Sequence, residues 1–125
     1  MKELSNALAE YLKTIYNLSA KSPAVRITDV AHTLGISKPS ANRAVNMLKH
    51  LGLVLHEPYE DIYLTDEGRQ KAEKLFSRHF HIKCFLVTAL NIDEKTAETE
   101  AASIEHSLSA ATVEKMVTYT VAQAV

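Results

Sequence analysis

Apolar residues recur at helical spacing along most of this chain, and the breaks in that rhythm mark its elements. Leu8, Leu12, Ile15, Tyr16 and Leu18 form a first stripe, opened by Ser5 or Asn6 and predicted to stop near Lys21-Ser22-Pro23. Glu10 lies off that stripe and by itself reads as a solvated carboxylate. A short second helix is predicted with Thr28 as its cap and Val30, Ala31 and Leu34 on one face. Gly35 then supplies a turn residue that accepts positive φ, with Ile36 tucked beneath it. Ser37 caps a third helix, and Pro39 is tolerated in its first turn because the early N–H groups there have no intrahelical partner. Ala41, Ala44, Val45, Leu48 and Leu51 make its inner stripe. Small Ala31, followed by Gly35, lets the two helices cross closely, so residues 27–51 are predicted to be a helix-turn-helix.

After Gly52 the rhythm changes. Leu53–His56 and Ile62–Leu64 read as two short strands around Glu57-Pro58-Tyr59-Glu60-Asp61. Such a hairpin is marginal alone and must lie on the helices, as the wing of a winged helix does. Its acidic tip is expected to add little affinity for a polyanion. Thr65 caps the next helix, and Asp66 and Glu67 suit the positive end of its dipole. The run Ala72, Leu75, Phe76, His79, Ile82, Cys84, Phe85, Leu86 and Leu90 predicts a helix of about 25 residues, long enough to connect two modules. Asn91-Ile92-Asp93 breaks it. Asp93 caps a helix running to about Ser107, and Ser109 caps a last one with Val113, Met116, Val117 and Val121 as an outward apolar stripe. Val125 follows without a C-cap residue, the pattern of a chain cut short or of a short form. The expectation is a mainly α fold: a winged helix-turn-helix DNA-binding domain over residues 1–72, then an α-helical metal-binding and dimerisation domain over 73–125.

The outward face of the third helix carries Lys38, Ser40, Asn42, Arg43 and Asn46, side chains that reach phosphates or base edges in a major groove. Composition bounds this reading without opposing it. With 125 residues, 46% apolar and 23% charged, the chain makes one or two small globular domains. No apolar run approaches the ~20 residues of a membrane span. Cys84 stands alone, which excludes an intrachain disulfide framework and suits a reducing cytoplasm. The net charge of −1 hides an asymmetry: seven Lys/Arg against five Asp/Glu over residues 1–60, and seven against ten over 61–125. The reading half is slightly basic and the second half acidic.

That acidic half holds candidate metal chemistry. At helical pitch Glu98, Ala102 and Glu105 fall within roughly 60° of one another, with His106 flanking them. His79 and His81 project from the long helix. Each residue taken singly reads as surface. As a set, carboxylate and imidazole drawn from different helices suit a first-row divalent metal, with Mn and Fe favoured by the oxygen-rich mix.

The full order of elements and motifs resembles the iron- and manganese-dependent repressors of the diphtheria toxin repressor type. The residues that carry the resemblance are Glu10-Tyr11-Leu12, Ile15-Tyr16, Gly52-Leu53-Val54, Leu64-Thr65-Asp66-Glu67-Gly68-Arg69, Arg78-His79 and Glu105-His106. It implies a dimer that reads a palindromic operator in double-stranded DNA, with the apolar stripe of the last two helices as interface. DNA contacts would come from Ser37, Lys38, Pro39, Ser40, Asn42 and Arg43, with Arg43 as the base reader. Metal ligands, for Mn(II) or Fe(II), would be Glu10, His79, Glu105 and His106, with Glu98 as a further member. Ala102 stands where the family supplies a cysteine or glutamate ligand, Lys13 replaces a glutamate of the manganese type, and Lys83 replaces a glutamate near the ancillary site. An alanine side chain cannot coordinate and an ammonium competes with a cation, so one metal per chain is expected. The implied function is a metal-dependent transcriptional regulator; its rivals are a regulator of the same fold that has lost metal dependence, a metal-dependent enzyme using the His/Glu cluster, and a protein-interaction module on the winged-helix scaffold, favoured only by the acidic wing. No nucleophile motif or phosphate loop speaks for an enzyme.

Overall fold

The structure is a computed structural model and describes residues 4–124. Its elements are α1 (Asn6–Ser19), α2 (Ile27–Leu34), α3 (Lys38–His50), β1 (Val54–His56), β2 (Ile62–Leu64), α4 (Asp66–Leu90), α5 (Glu94–Ile104) and α6 (Ala110–Ala124). The chain divides after Lys74 into two compact units, and the long α4 contributes residues to both. Among the described residues no helix is long and apolar enough to cross a membrane.

In the first unit, local capping chemistry sets most boundaries. The Ser5 hydroxyl accepts the Leu8 N–H at 3.2 Å and opens α1, which buries Leu8, Leu12 and Ile15. α1 stops at Ser19, before the expected Lys21-Ser22-Pro23, because the Lys21 and Ser22 amides turn back to the Leu18 carbonyl at 3.1 and 3.4 Å. α2 also departs from expectation. It opens at Ile27 behind Arg26, which makes no side-chain cap, and Thr28 lies inside its first turn. The cause is non-local: Val25 and Ile62 exchange backbone hydrogen bonds of 2.9 and 2.7 Å, which fixes where the chain enters the helix.

Gly35 sits at φ 65°, ψ 37°, and the Ile36 amide returns to the Ala31 carbonyl at 3.0 Å, so the turn between α2 and α3 requires the left-handed region. The Ser37 hydroxyl accepts the Ser40 N–H at 3.2 Å, and Ala41, Ala44, Val45 and Leu48 of α3 are buried. β1 and β2 pair antiparallel with Val54 opposite Leu64, Leu55 opposite Tyr63 and His56 opposite Ile62. Thr65 joins this wing to α4: its hydroxyl donates to the Gly52 carbonyl at 2.8 Å and accepts the Gly68 N–H at 2.9 Å. A Cβ on Gly68 would overlap the Leu53 carbonyl, so only glycine lets the first turn of α4 lie on the start of the wing.

The second unit is built on Ile82, Leu86, Ala97, Ala101 and Val113, with Phe85, Ile92, Ile104, Leu108 and Met116 packed around them. Ala97 and Ala101, one turn apart and fully buried, let α5 lie close against α4. Asp93 caps α5 by accepting the Thr96 N–H at 3.0 Å, and that bond holds its carboxyl below the usual aspartate range. Ser109 caps α6 through the Thr112 N–H at 3.1 Å. Two expectations are corrected. Val113 is buried and belongs to this unit's core, whereas the rest of the expected exposed or semi-exposed stripe is as read, with Met116 and Val117 half-buried and Val121 exposed. α5 ends at Ile104 and not near Ser107; Glu105 keeps helical dihedrals as its C-cap, and His106 and Ser107 lie in the turn that follows. Val125 lies outside the described residues.

Candidate functional site

The first unit presents one face of α3 to solvent. Ser37, Lys38, Pro39, Asn42 and Arg43 are exposed and Ser40 is half-buried. The Ser37 and Ser40 hydroxyls are 2.9 Å apart, and the Arg43 guanidinium donates to the Ser40 hydroxyl at 3.3 Å. These bonds draw Arg43 back toward the helix N-terminus, where free amides and the positive dipole end already favour phosphate. A concave surface joins this end of α3 to the wing and is lined by Arg26, Thr28, Lys38, Asn42, His56 and Tyr59, with Glu60 and Asp61 at its rim. Tyr59 stands fully exposed at φ 65° on the wing tip. The acidic tip is partly answered from within: the Lys49 ammonium lies 3.9 Å from Glu57. Arg26 and Tyr59 had no sequence signal, because neither belongs to a periodic face.

The second unit gathers carboxylate and imidazole where α4 meets the end of α5. Glu105, only 2% exposed, sits between two histidines: its Oε2 is 2.9 Å from His79 Nδ1 and its Oε1 is 3.4 Å from His106 Nε2. A buried carboxylate is costly unless charge and hydrogen bonds answer it, so this is an expensive placement for packing alone. The guanidinium of Arg78 donates to the Glu105 backbone carbonyl, pinning the turn that carries both Glu105 and His106.

His79 gives the site its character. An ionised carboxylate only accepts, so His79 donates to Glu105 from Nδ1, and Nε2 is the ring nitrogen turned to Glu98. Nε2 is buried and finds no hydrogen-bond partner among the described residues. Glu98 Oε1 lies 3.1 Å from it, close enough for an ion pair but off the direction a hydrogen bond needs. A ring nitrogen and a carboxylate oxygen this close need positive charge between them, and either a proton on Nε2 or a metal ion supplies it. The donor set, imidazole nitrogen and carboxylate oxygen without thiolate, therefore fits a hard or borderline divalent ion. The Glu98 carboxyl is held below the usual glutamate range, first by His79 and then by Lys83.

Of the residues singled out in the sequence, His79, Glu98, Glu105 and His106 come together in this unit. Ala102 is exposed. His81, which projects from the same helix, instead faces Ser77 one turn back, with its Nε2 3.1 Å from that hydroxyl. Glu10 belongs to the first unit, exposed on α1, where its Oε2 is 3.3 Å from the Lys13 ammonium. Arg78 had been noted only as part of the Arg78-His79 marker and Lys83 only as an ammonium that competes with a cation; their contacts depend on α4 and α5 packing together.

Comparison with known proteins agrees with both descriptions. Residues 3–71 match the family described as iron dependent repressor, N-terminal DNA binding domain, and residues 65–121 match iron dependent repressor, metal binding and dimerisation domain. An uncharacterised HTH-type transcriptional regulator from Methanocaldococcus jannaschii is 36% identical over 114 residues, covering 90% of this chain and 91% of the relative. The transcriptional regulator MntR of Salmonella typhimurium is 28% identical over 111 residues, 89% of this chain and 70% of that protein. A solved manganese-dependent transcriptional repressor in complex with manganese superposes with a TM-score of 0.76 at 28% identity, over 90% of this chain and 52% of that one, so this chain spans about half its length. The two family matches run through nearly the whole sequence, DNA-binding part first and metal-binding part second. The chain accordingly belongs to the iron-dependent repressor family of metal-dependent, DNA-binding transcriptional regulators.

Proposed function

We propose that this protein is a cytoplasmic repressor of metal-uptake genes that binds a palindromic operator as a homodimer when Mn(II) or Fe(II) is bound. The observation that carries the reading is Glu105, buried between His79 and His106, beside a His79 nitrogen that faces a second carboxylate, Glu98, without a hydrogen bond. His79, Glu98, Glu105 and His106 would hold the metal, and Glu10 is the ligand assigned to the first unit by the family resemblance. A metal that takes Glu10 as well would link its own binding to the DNA-reading unit, by no more than its preference for the DNA-competent arrangement, typically ~1–3 kcal/mol. Ser37, Lys38, Pro39, Ser40, Asn42 and Arg43 would contact DNA, with Arg43 suited to bidentate recognition of guanine.

Metal analysis of the purified protein, with operator binding measured with and without chelator, tests the reading. His106→Ala is expected to remove the metal-stimulated part of DNA affinity and to leave the fold and non-specific binding intact. Affinity indifferent both to chelator and to that substitution would overturn it. One observation favours a second reading, a regulator of the same fold that is blind to metal: the Lys13 ammonium already holds Glu10 at 3.3 Å, and Ala102 offers no ligand atom from its side chain. The same chelator experiment separates the two.

A further inference from the structure

Lys83 lies on α4 one turn beyond His79, and its side chain is less exposed than those of the acids it meets. Its ammonium is 3.3 Å from Glu98 Oε2 and 3.8 Å from Glu94 Oε1, two acids one turn apart on α5. Glu98 is therefore shared: Oε1 faces His79 Nε2, and Oε2 faces Lys83. Ordinary surface ion pairs add little stability, and the exposed Glu94 adds least. Position is the informative feature. The ammonium occupies the outer end of a row of acids and imidazoles, Glu94–Glu98–His79–Glu105, whose inner end is the proposed metal site.

Resting on that metal reading, we propose that Lys83 is a built-in cation that takes the place of a second divalent metal and fixes the protein at one metal per chain. An ammonium has three donors and no lone pair, so it cannot share a metal; it can only hold carboxylate oxygens that a metal would otherwise use. It is also tethered, and its local concentration beside Glu98, at the millimolar level or above for a short flexible link, exceeds that of a free trace metal. A second ion between Glu94 and Glu98 would stand in contact with that fixed positive charge. The inner site keeps Glu98 Oε1, which lies on His79 while Oε2 lies on Lys83, together with the Glu105 carboxylate on the other side of His79.

Equilibrium dialysis against MnCl2 alone, followed by metal analysis and Mn(II) electron paramagnetic resonance, tests this without reference to DNA. The wild-type chain is expected to hold one Mn(II), with the spectrum of an isolated ion, and Lys83→Arg the same. Lys83→Glu is expected to hold two, with the broadened signal of neighbouring ions. Lys83→Gln, which removes charge without reversing it, is expected to gain a weaker second ion and stands in should the charge-reversed chain not fold. Two ions on the wild type, or one ion on a folded Lys83→Glu or Lys83→Gln chain, would overturn the inference and leave the metal site standing. No ion on any chain would overturn the metal reading itself, and the inference with it.

Discussion

The two units put their polar chemistry in opposite places. In the first, the buried residues are apolar except for Thr14 and His56, and the side chains suited to DNA, Lys38, Asn42 and Arg43, are turned outward. In the second, the carboxylate of Glu105 is buried between imidazoles while much of the rest of α5 is a solvated acidic surface. The ligands explain the difference. A DNA duplex is an extended polyanion, met by exposed donors along a convex helix. A metal ion is a point charge that must lose its water, so its ligands converge in a confined place and are costly there without it. A convex reader and a concave receptor call for different kinds of packing behind them.

Substitutions that act on one unit and spare the other test this contrast. The largest effect is expected from the second unit's outer apolar surface. Tyr119 and Val121 are exposed on α6, and Leu90 is exposed at the end of α4. Tyr119→Glu with Val121→Glu should give monomers in sedimentation and lose palindrome binding while the metal site still fills. A monomeric wild type that binds a palindrome tightly would break the assignment of this surface to dimerisation. Met116 is a poorer choice, since it packs against the unit's own core and its loss would confuse folding with association.

Next in size is the apolar support of the reader. Leu48 is fully buried, and Leu48→Ala should destabilise the first unit by ~2–5 kcal/mol, seen in chemical denaturation. Smaller effects are expected on the reading face itself. Arg43→Ala should cost ~1–3 kcal/mol at one base position, while Lys38→Ala should weaken all sequences alike and lower the salt slope by about 1. Equal losses on specific and random DNA for both variants would remove Arg43 from the role of base reader.

The smallest expected effect is a titration. Asp93 has its carboxyl held low by the Thr96 amide, so its contribution to α5 is complete above the ordinary aspartate range and fades as pH falls through its lowered value. Carbon-detected NMR should find Asp93 titrating below a free aspartate. A normal midpoint would mean that the cap is not held in solution.

Much of the fold was legible because it rests on contacts three or four residues apart. The caps at Ser5, Ser37, Thr65, Asp93 and Ser109, the left-handed Gly35 and the length of α4 are all of this kind. The helix-turn-helix could be read whole for the same reason. Where local signals failed, a distant partner had intervened: Thr28 is a good cap residue, yet α2 starts ahead of it because Val25 is bound to Ile62.

For the candidate site, the sequence determined the kinds of ligand atom available and that Glu105 and His106 sit side by side; an amino-acid pattern carries that much. It also gave most of the outward face of α3, since helical pitch alone turns Asn42, Arg43 and Asn46 away from Ala41, Ala44 and Leu48. Only the tertiary structure decided that Glu105 is buried, that His79 rather than His81 meets it, that Arg78 pins its carbonyl and that Lys83 takes half of Glu98. All four follow from how closely α4 and α5 approach, which the small Ala97 and Ala101 permit against Ile82. Spacing along one helix fixes direction around its own axis, whereas the distance between side chains on two helices is set by the core between them.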